Sequence, residues 1–254
     1  MTRRRRTQID WTAYLAAFHA QRPGITETVL TRCRYAGHNP YEWLLEGIST
    51  SARILDLACG SAPTRPRVAS GWVGIDRAAA ELTAARFQGA RDVVLADITE
   101  LPVAPATFDV VVCSMALMLV TPLHKTLREI ARVIRPGGTV HVLLPATRPL
   151  TWSDRAGYTR LAVVLRTPPQ FPASPLTHQA HRAFTQAGFT ITSTERRRYI
   201  YPIATAEDAR RLIDSLYLPS VSPRRRQQAH TRAERTLGHA IGIPLHKITA
   251  ALPH

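Results

Sequence analysis

Five short apolar runs between residues 53 and 144 constrain this chain more than any other feature: Arg53–Leu57, Trp72–Asp76, Val93–Asp97, Phe108–Ser114 and Thr139–Leu144. The fourth, FDVVVCS, shows no polar alternation. Such a run belongs to a strand covered on both faces, as a parallel sheet requires. Helical stretches separate the runs. In one of them Leu123, Leu127, Ile130, Ala131 and Ile134 share a face, and Pro136-Gly137-Gly138 ends it. Repetition of strand, helix and strand predicts an open doubly wound α/β sheet.

The flanks read differently. Trp11, Tyr14, Leu15 and Phe18 recur at helical spacing after a cap at Asp10, and Arg22-Pro23-Gly24 stops that helix. A second helix is predicted over Ile25–Tyr35. Asn39-Pro40-Tyr41-Glu42 then joins a cap, a proline at the first helical position and a glutamate at the third, opening a helix through Ile48. Beyond Pro145, residues 146–176 hold five prolines and a helix from Asp154 to Leu165. Helices are predicted over Thr177–Gly188, Ala206–Tyr217 and Pro223–Leu237, with strands over Phe189–Tyr201 and Pro244–Leu252. The organisation that follows is an N-terminal helical cap, 1–50, and a main domain, 51–254, in which 146–176 and 205–240 are lid or insertion segments.

Composition sets the class. With 45% hydrophobic and 20% charged residues the 254-residue chain reads as an ordinary globular protein. The longest apolar run, Val110–Val120, has 11 residues, short of the roughly 20 that span a bilayer. No apolar segment follows the basic N-terminus as a secretory leader needs, so the cytoplasm is the default location. Cys33, Cys59 and Cys113 lack the spacing of a zinc site or a disulfide framework and are expected to be reduced. Lys and Arg number 33 against 18 Asp and Glu, a formal charge of +15, and Lys125 and Lys247 are the only lysines. That excess suits either a polyanionic partner or the arginine-heavy usage of a GC-rich genome. The second is preferred, because Arg3–Arg6, Arg196–Arg198, Arg210 with Arg211, and Arg224–Arg226 are scattered as solvated faces usually are.

The stretch RILDLACGSA, residues 53–62, carries the chemistry. A buried strand delivers Asp56 near its end, and the chain then turns through Ala58, Gly60, Ser61 and Ala62, small enough for a ligand to approach the backbone. Twenty residues on, Asp76 ends the second run, at the spacing where a carboxylate takes ribose hydroxyls. Asp97 ends the third. A dinucleotide fold would need G-x-G-x-x-G, yet Gly60 is the lone glycine between Leu55 and Ser70, and Pro63 and Pro66 each remove an N–H donor. A nucleoside without phosphates is the expected ligand.

ILDLACGSA, GWVGIDRA, VVLADITELP, FDVVVCSMAL and RVIRPGG together resemble a class I S-adenosylmethionine-dependent methyltransferase, of the type grouped with the ubiquinone and menaquinone methyltransferases. The resemblance is close over Ser51–Pro145 and looser beyond it. It implies a Rossmann-like sheet of about seven strands with the last strand antiparallel, Thr190–Pro202 and Ile243–Leu252 forming a hairpin at the sheet edge. It also implies that Asp56, Ala58 and Gly60 line the methionine end of the cofactor and that Asp76 binds the ribose. Arg77 would flank the adenine, Asp97 and Ile98 would contact it, and Ser114 and Met115 would sit beside the sulfonium. Alanine stands at 58 and 62 where the family usually has glycine.

Methyl transfer from a sulfonium is an in-line displacement, to which an enzyme contributes mainly proximity and orientation. A general base is required only if the acceptor must lose a proton, and no catalytic residue is assigned. His19 and Tyr14, His141, and His178 with His181 are candidates whose plainer reading is structural. His178 and His181 lack a third ligand, so no metal is expected. Trp43, Trp152, Tyr158 and Tyr217 could line an aromatic acceptor pocket. The leading expectation is methyl transfer to a small molecule. One alternative is an RNA methyltransferase, motivated by charge but lacking an Asn/Asp-Pro-Pro-Tyr motif at Cys113–Leu117. The other is a non-catalytic binding protein, motivated by Ala62, Pro63 and Pro66.

Overall fold

The computed structural model describes residues 9–254 apart from 70, 174 and 175, together with the backbone but not the side chains of 176–179. Arg3–Arg6 and the His178 side chain lie outside the described residues. Three helices open the chain: α1 (Trp11–Gln21), α2 (Ile25–Arg32) and α3 (Pro40–Leu44). The alternating core follows as β1 (Ile54–Leu57), β2 (Trp72–Asp76), α4 (Ala79–Phe87), β3 (Val93–Leu95), β4 (Phe108–Ser114), α5 (Leu123–Val133) and β5 (Ile134–Pro145). The remainder is α6 (Trp152–Leu165), α7 (Leu176–Gln186), β6 (Thr190–Ile203), α8 (Ala206–Asp214), α9 (Pro223–Glu234) and β7 (His239–Ala251).

The seven strands form one sheet in the order β3-β2-β1-β4-β5-β7-β6. The first five are parallel, and β7 runs antiparallel to both its neighbours. The Rossmann-like α/β architecture expected from the sequence is therefore present, with one correction at its far side. β6 and β7 do not make a tight hairpin. Two helices, α8 and α9, join them, and β7 lies inside the sheet between β5 and β6, with β6 at the edge. Long ladders, from Thr190↔Ala251 to Ile203↔His239, also carry β7 further toward its N-terminal side than Pro244.

Alternation on the pleat sorts side chains into two apolar layers. Ile54, Val110, Val112, Leu143 and Leu245 face one layer, shared with Val29 and Leu30 of α2 and Tyr41, Trp43 and Leu44 of α3. Leu55, Leu57, Val111, Cys113, Val142 and Ile248 face the other, packed by Leu127, Ile130 and Val133 of α5 and by Phe184 of α7. Among the described residues only a 3-10 turn, Arg65–Arg67, lies between β1 and β2, where a doubly wound fold usually places a helix. Helices α2 and α3 cover that face instead. Asn39 caps α3 through the expected box, accepting from Tyr41 and Glu42 N–H while Glu42 accepts from Asn39 N–H.

Helix α6 is fastened by a single carboxylate. Asp154, 2% exposed, accepts from Arg198 Nε at 2.6 Å and Nη2 at 2.9 Å on β6, from Gly242 N at 2.7 Å on β7, and from Thr151 at the helix cap. These donors hold the Asp154 carboxyl well below the usual range, the Arg198 guanidinium contributing most. Asp154→Asn is expected to cost about 1–3 kcal/mol at pH 7, since it leaves the half-buried Arg198 guanidinium and the buried Gly242 N–H short of their acceptor. Because the folded carboxyl titrates lower than the unfolded one, this stabilisation is complete above about pH 5 and fades as pH falls below 4. Urea titrations of both proteins at pH 7 and pH 3 should show the difference narrowing at the lower pH.

Candidate functional site

The C-terminal ends of β1, β2 and β4 converge on a turn. After Leu57 the chain passes through Ala58, Gly60 and Ala62, with φ of 52°, 53° and 61°, all left-handed. Gly60 N–H donates to Asp76 Oδ2 at 2.9 Å, and Ala78 N–H donates to Oδ1 at 2.8 Å. One carboxylate thus ties the first turn to the second. Thr64 Oγ1 donates to Asp56, and Trp72 Nε1 donates to Thr64 Oγ1 at 3.0 Å. Alanine takes up the glycine conformation here at some cost, so the turn keeps its shape despite Pro63 and Pro66.

Nine positions were expected in the site. Asp56, Ala58, Gly60 and Asp76 come together around the turn, Asp56 2% and Asp76 8% exposed. Ser114 ends β4 and Met115 follows it with φ 56°. Arg77, exposed, follows the last residue of β2. Asp97 lies two residues beyond β3, which stops at Leu95 rather than at Asp97, because an Asx turn in which Thr99 N–H and Oγ1 donate to Asp97 Oδ1 takes the chain out of the sheet. Ile98 is buried in the layer beneath. The aromatic set largely disperses. Trp43 is in the core, Trp152 is 84% exposed, and the Tyr158 hydroxyl donates to Gly242 O at 2.8 Å. Tyr217 alone of the four stands near the site, packed with Phe18 at 4.6 Å between ring centroids and with Phe171 at 6.1 Å. His141 is a packed core residue that contacts Leu44 O through Nδ1, and burial pushes its pKa down to about 4. Burial likewise pushes the Cys59 thiol up, which removes it as a nucleophile.

Glu27 was not foreseen. From α2 its carboxylate reaches the turn, where a Cβ built on Gly60 would lie 1.9 Å from Glu27 Oε1. Glu81, on the first turn of α4 and 1% exposed, accepts from His19 Nδ1 and from Gly24 N–H, each at 2.8 Å, fixing the α1–α2 corner above the site. ITETVLTR carries no signal that could have marked Glu27, since polar positions on an amphipathic helix are normally solvated.

The electrostatics follow from the packing. Glu27, Asp56 and Asp76 have no ion-pair partner among the described residues. Desolvation raises the pKa of all three, Glu27 to about 8 with Glu81 adding repulsion, and Asp56 to about 7. Ser114 Oγ is buried without a partner among the described residues, and Tyr41, 1% exposed, lies beside Ser114 and Glu27. A ligand that brings positive charge and polar atoms would satisfy every one of these groups. The turn gives a direct test of its own strain. Ala58→Gly should raise stability by about 1 kcal/mol, relieving a left-handed alanine, whereas Ala62→Gly should be nearly neutral, because losing a buried methyl costs about 0.8 kcal/mol. Paired thermal denaturations will check the contrast.

Residues 55–142 match the family described as methyltransferase domain. A demethylmenaquinone methyltransferase of Mycolicibacterium vanbaalenii is 41% identical over 100 residues, covering 37% of this chain and 42% of the relative. Another, from Mycobacterium sp. (strain KMS), is 38% identical over 133 residues, 48% and 54% of the two chains. A malonyl-[acyl-carrier protein] O-methyltransferase of Erwinia pyrifoliae is 33% identical over 148 residues, 55% of each chain. The chain thus spans about half the length of the curated relatives it matches. In fold it is similar to the [4+2]-cyclase SpnF, with TM-score 0.56 at 21% identity over 84% of this chain and 80% of that one. It is also similar to a protein solved in work on thioacetal formation during echinomycin biosynthesis, with TM-score 0.55 at 18% identity over 84% and 82%. Residues 55–142 thus match a methyltransferase domain, and the strand order and the turn after β1 are similar to those of class I S-adenosylmethionine-dependent methyltransferases.

Proposed function

We propose that the chain transfers a methyl group from S-adenosylmethionine to a small-molecule acceptor. The observation that carries this reading is the set of carboxylates without a cationic partner among the described residues, Glu27, Asp56 and Asp76, gathered over a left-handed turn at the C-terminal edge of a parallel sheet. In open α/β sheets that edge is where ligands bind. The groups fit this cofactor: a nucleoside with a cationic tail answers both the uncompensated charge and the unpaired hydroxyl of Ser114. When bound, S-adenosylmethionine supplies a methyl group on an excellent leaving group.

The chain's own residues do the positioning. Asp76 would hold the ribose with the lone pairs left free by Gly60 and Ala78, and Arg77, Asp97 and Ile98 would surround the adenine. Asp56, Ala58 and Gly60 would line the methionine end. Ser114 and Met115 would border the reacting carbon. The acceptor side would be formed by an apolar, aromatic group: Phe18 and Tyr217, packed with Leu119 and Phe171. Such a wall suits a flat or apolar acceptor. Quinone-like molecules fit it, in keeping with the names of the demethylmenaquinone methyltransferases. The N-terminal helices, 1–50, and the segments 146–176 and 205–240 would close over the acceptor and exclude water. No helix among the described residues is long and apolar enough to cross a membrane, and three buried free thiols suit the cytoplasmic setting we assign.

The test is calorimetric. Wild-type protein should bind S-adenosylmethionine and S-adenosylhomocysteine saturably, and Asp76→Ala should lose at least tenfold in affinity for both while keeping its circular dichroism spectrum. Unchanged affinity would remove Asp76 from the site. Absence of binding by folded wild-type protein would leave the non-catalytic alternative standing. Titration with tRNA across a salt series checks the nucleic-acid alternative: attraction of a +15 chain that is purely electrostatic collapses between 50 and 200 mM salt.

A further inference from the structure

We propose that Glu27 is a cofactor-recognition residue: its carboxylate, set against Gly60 by helix α2, takes the ammonium group at the methionyl end of the cofactor. The inference rests on the cofactor reading above and extends it to a helix outside the matched domain.

Geometry supports it first. Gly60 has no side chain, and the space a Cβ would occupy is filled by Glu27 Oε1, so the carboxylate lies on the backbone of the turn that would line the methionine end. Glu27 makes no side-chain hydrogen bond or ion pair among the described residues, whereas the neighbouring Glu81 has both, with His19 and Gly24. A carboxylate carried into the fold without a donor is costly unless a cation arrives. Ser114, at the end of β4 and beside Tyr41, gives an independent sign of a missing ligand, its Oγ being buried without a hydrogen-bond partner among the described residues.

Every element packed around Glu27 adds to the demand. It faces Asp56 from β1, Asp76 from β2, Glu81 from α4, Tyr41 from α3 and Tyr217 beyond α8. His19 of α1 is already engaged by Glu81. The raised pKa of Glu27 means that the ligand-free carboxyl holds its proton at neutral pH. An ammonium ion seated against it would favour the ionised form and expel that proton.

The experiment uses Glu27→Gln, an isostere of the protonated acid that leaves packing and charge of the free protein nearly as they were. Three probes are titrated into both proteins: S-adenosylmethionine, S-adenosylhomocysteine and 5′-methylthioadenosine, which lacks the amino-acid tail. Glu27→Gln is expected to weaken the first two alike by about tenfold or more, as loss of a charge-assisted hydrogen bond does, and to leave the third unchanged. Titrations at pH 7 in buffers of different ionisation enthalpy should show the wild type releasing close to one proton more than the variant on binding S-adenosylhomocysteine. Equal affinities and equal proton release would overturn the assignment while the cofactor reading stands. Loss of 5′-methylthioadenosine binding as well would also overturn it, showing Glu27 to be a structural support of the turn. Failure of wild-type protein to bind any probe would overturn both readings together.

Discussion

Asp76 closes the arrangement on which the site depends. Its two carboxylate oxygens accept N–H groups from two different crossovers, Gly60 after β1 and Ala78 after β2, so neither turn can relax without the other. Burial works against a charge there, and the raised pKa of Asp76 shows that desolvation outweighs the two donors. The compensation is positional. With Gly60 held, Ala58 and Ala62 adopt left-handed conformations that alanine disfavours, and Gly60 presents bare backbone to Glu27 of α2.

A chain with formal charge +15 nevertheless has an acidic crevice. Its arginines are spent elsewhere: Arg132 on Glu129, Arg135 on Asp109, Arg226 on Asp214, and Arg197 stacked 4.5 Å from the Trp43 ring. Most of these pairs are partly solvated and contribute little singly. Their effect is on distribution. None of these arginines reaches Glu27, Asp56 or Asp76, so the turn carries acidic groups against a positive background.

How much of this was legible in the sequence depends on whether the signal was local. β2 and β4 begin and end where their apolar runs do, because a strand buried on both faces has no other way to be written. The box at Asn39–Glu42 was equally plain, since the capping atoms lie within four residues. Pro136-Gly137-Gly138 was misleading in part: it does follow α5, but β5 starts at Ile134 and runs through it across an irregularity opposite Phe108 and Val110. Trp152 and Trp43 carried no hint of which would face solvent. Glu27 was invisible for the same reason. Its setting is made by α2 crossing the turn after β1, where no helix of the core intervenes, and nothing within ITETVLTR records that crossing.

The strand order also decides when the sheet can be completed. β5 and β6 are neighbours in sequence but not in space, and the gap between them is filled by residues 239–251, which pair with Thr139–Pro145 on one side and Thr190–Ile203 on the other. As the chain emerges during synthesis, β1 to β5 can associate while the outer edge of β5 keeps its N–H and C=O groups open, and β6, bridged to Arg34 at Ile200 alone, has no partner strand until α8 and α9 have also appeared. Two strand edges therefore wait on the same late segment. Unpaired edges recruit strands from other chains, and the interval before β7 inserts is when this protein is most exposed to them.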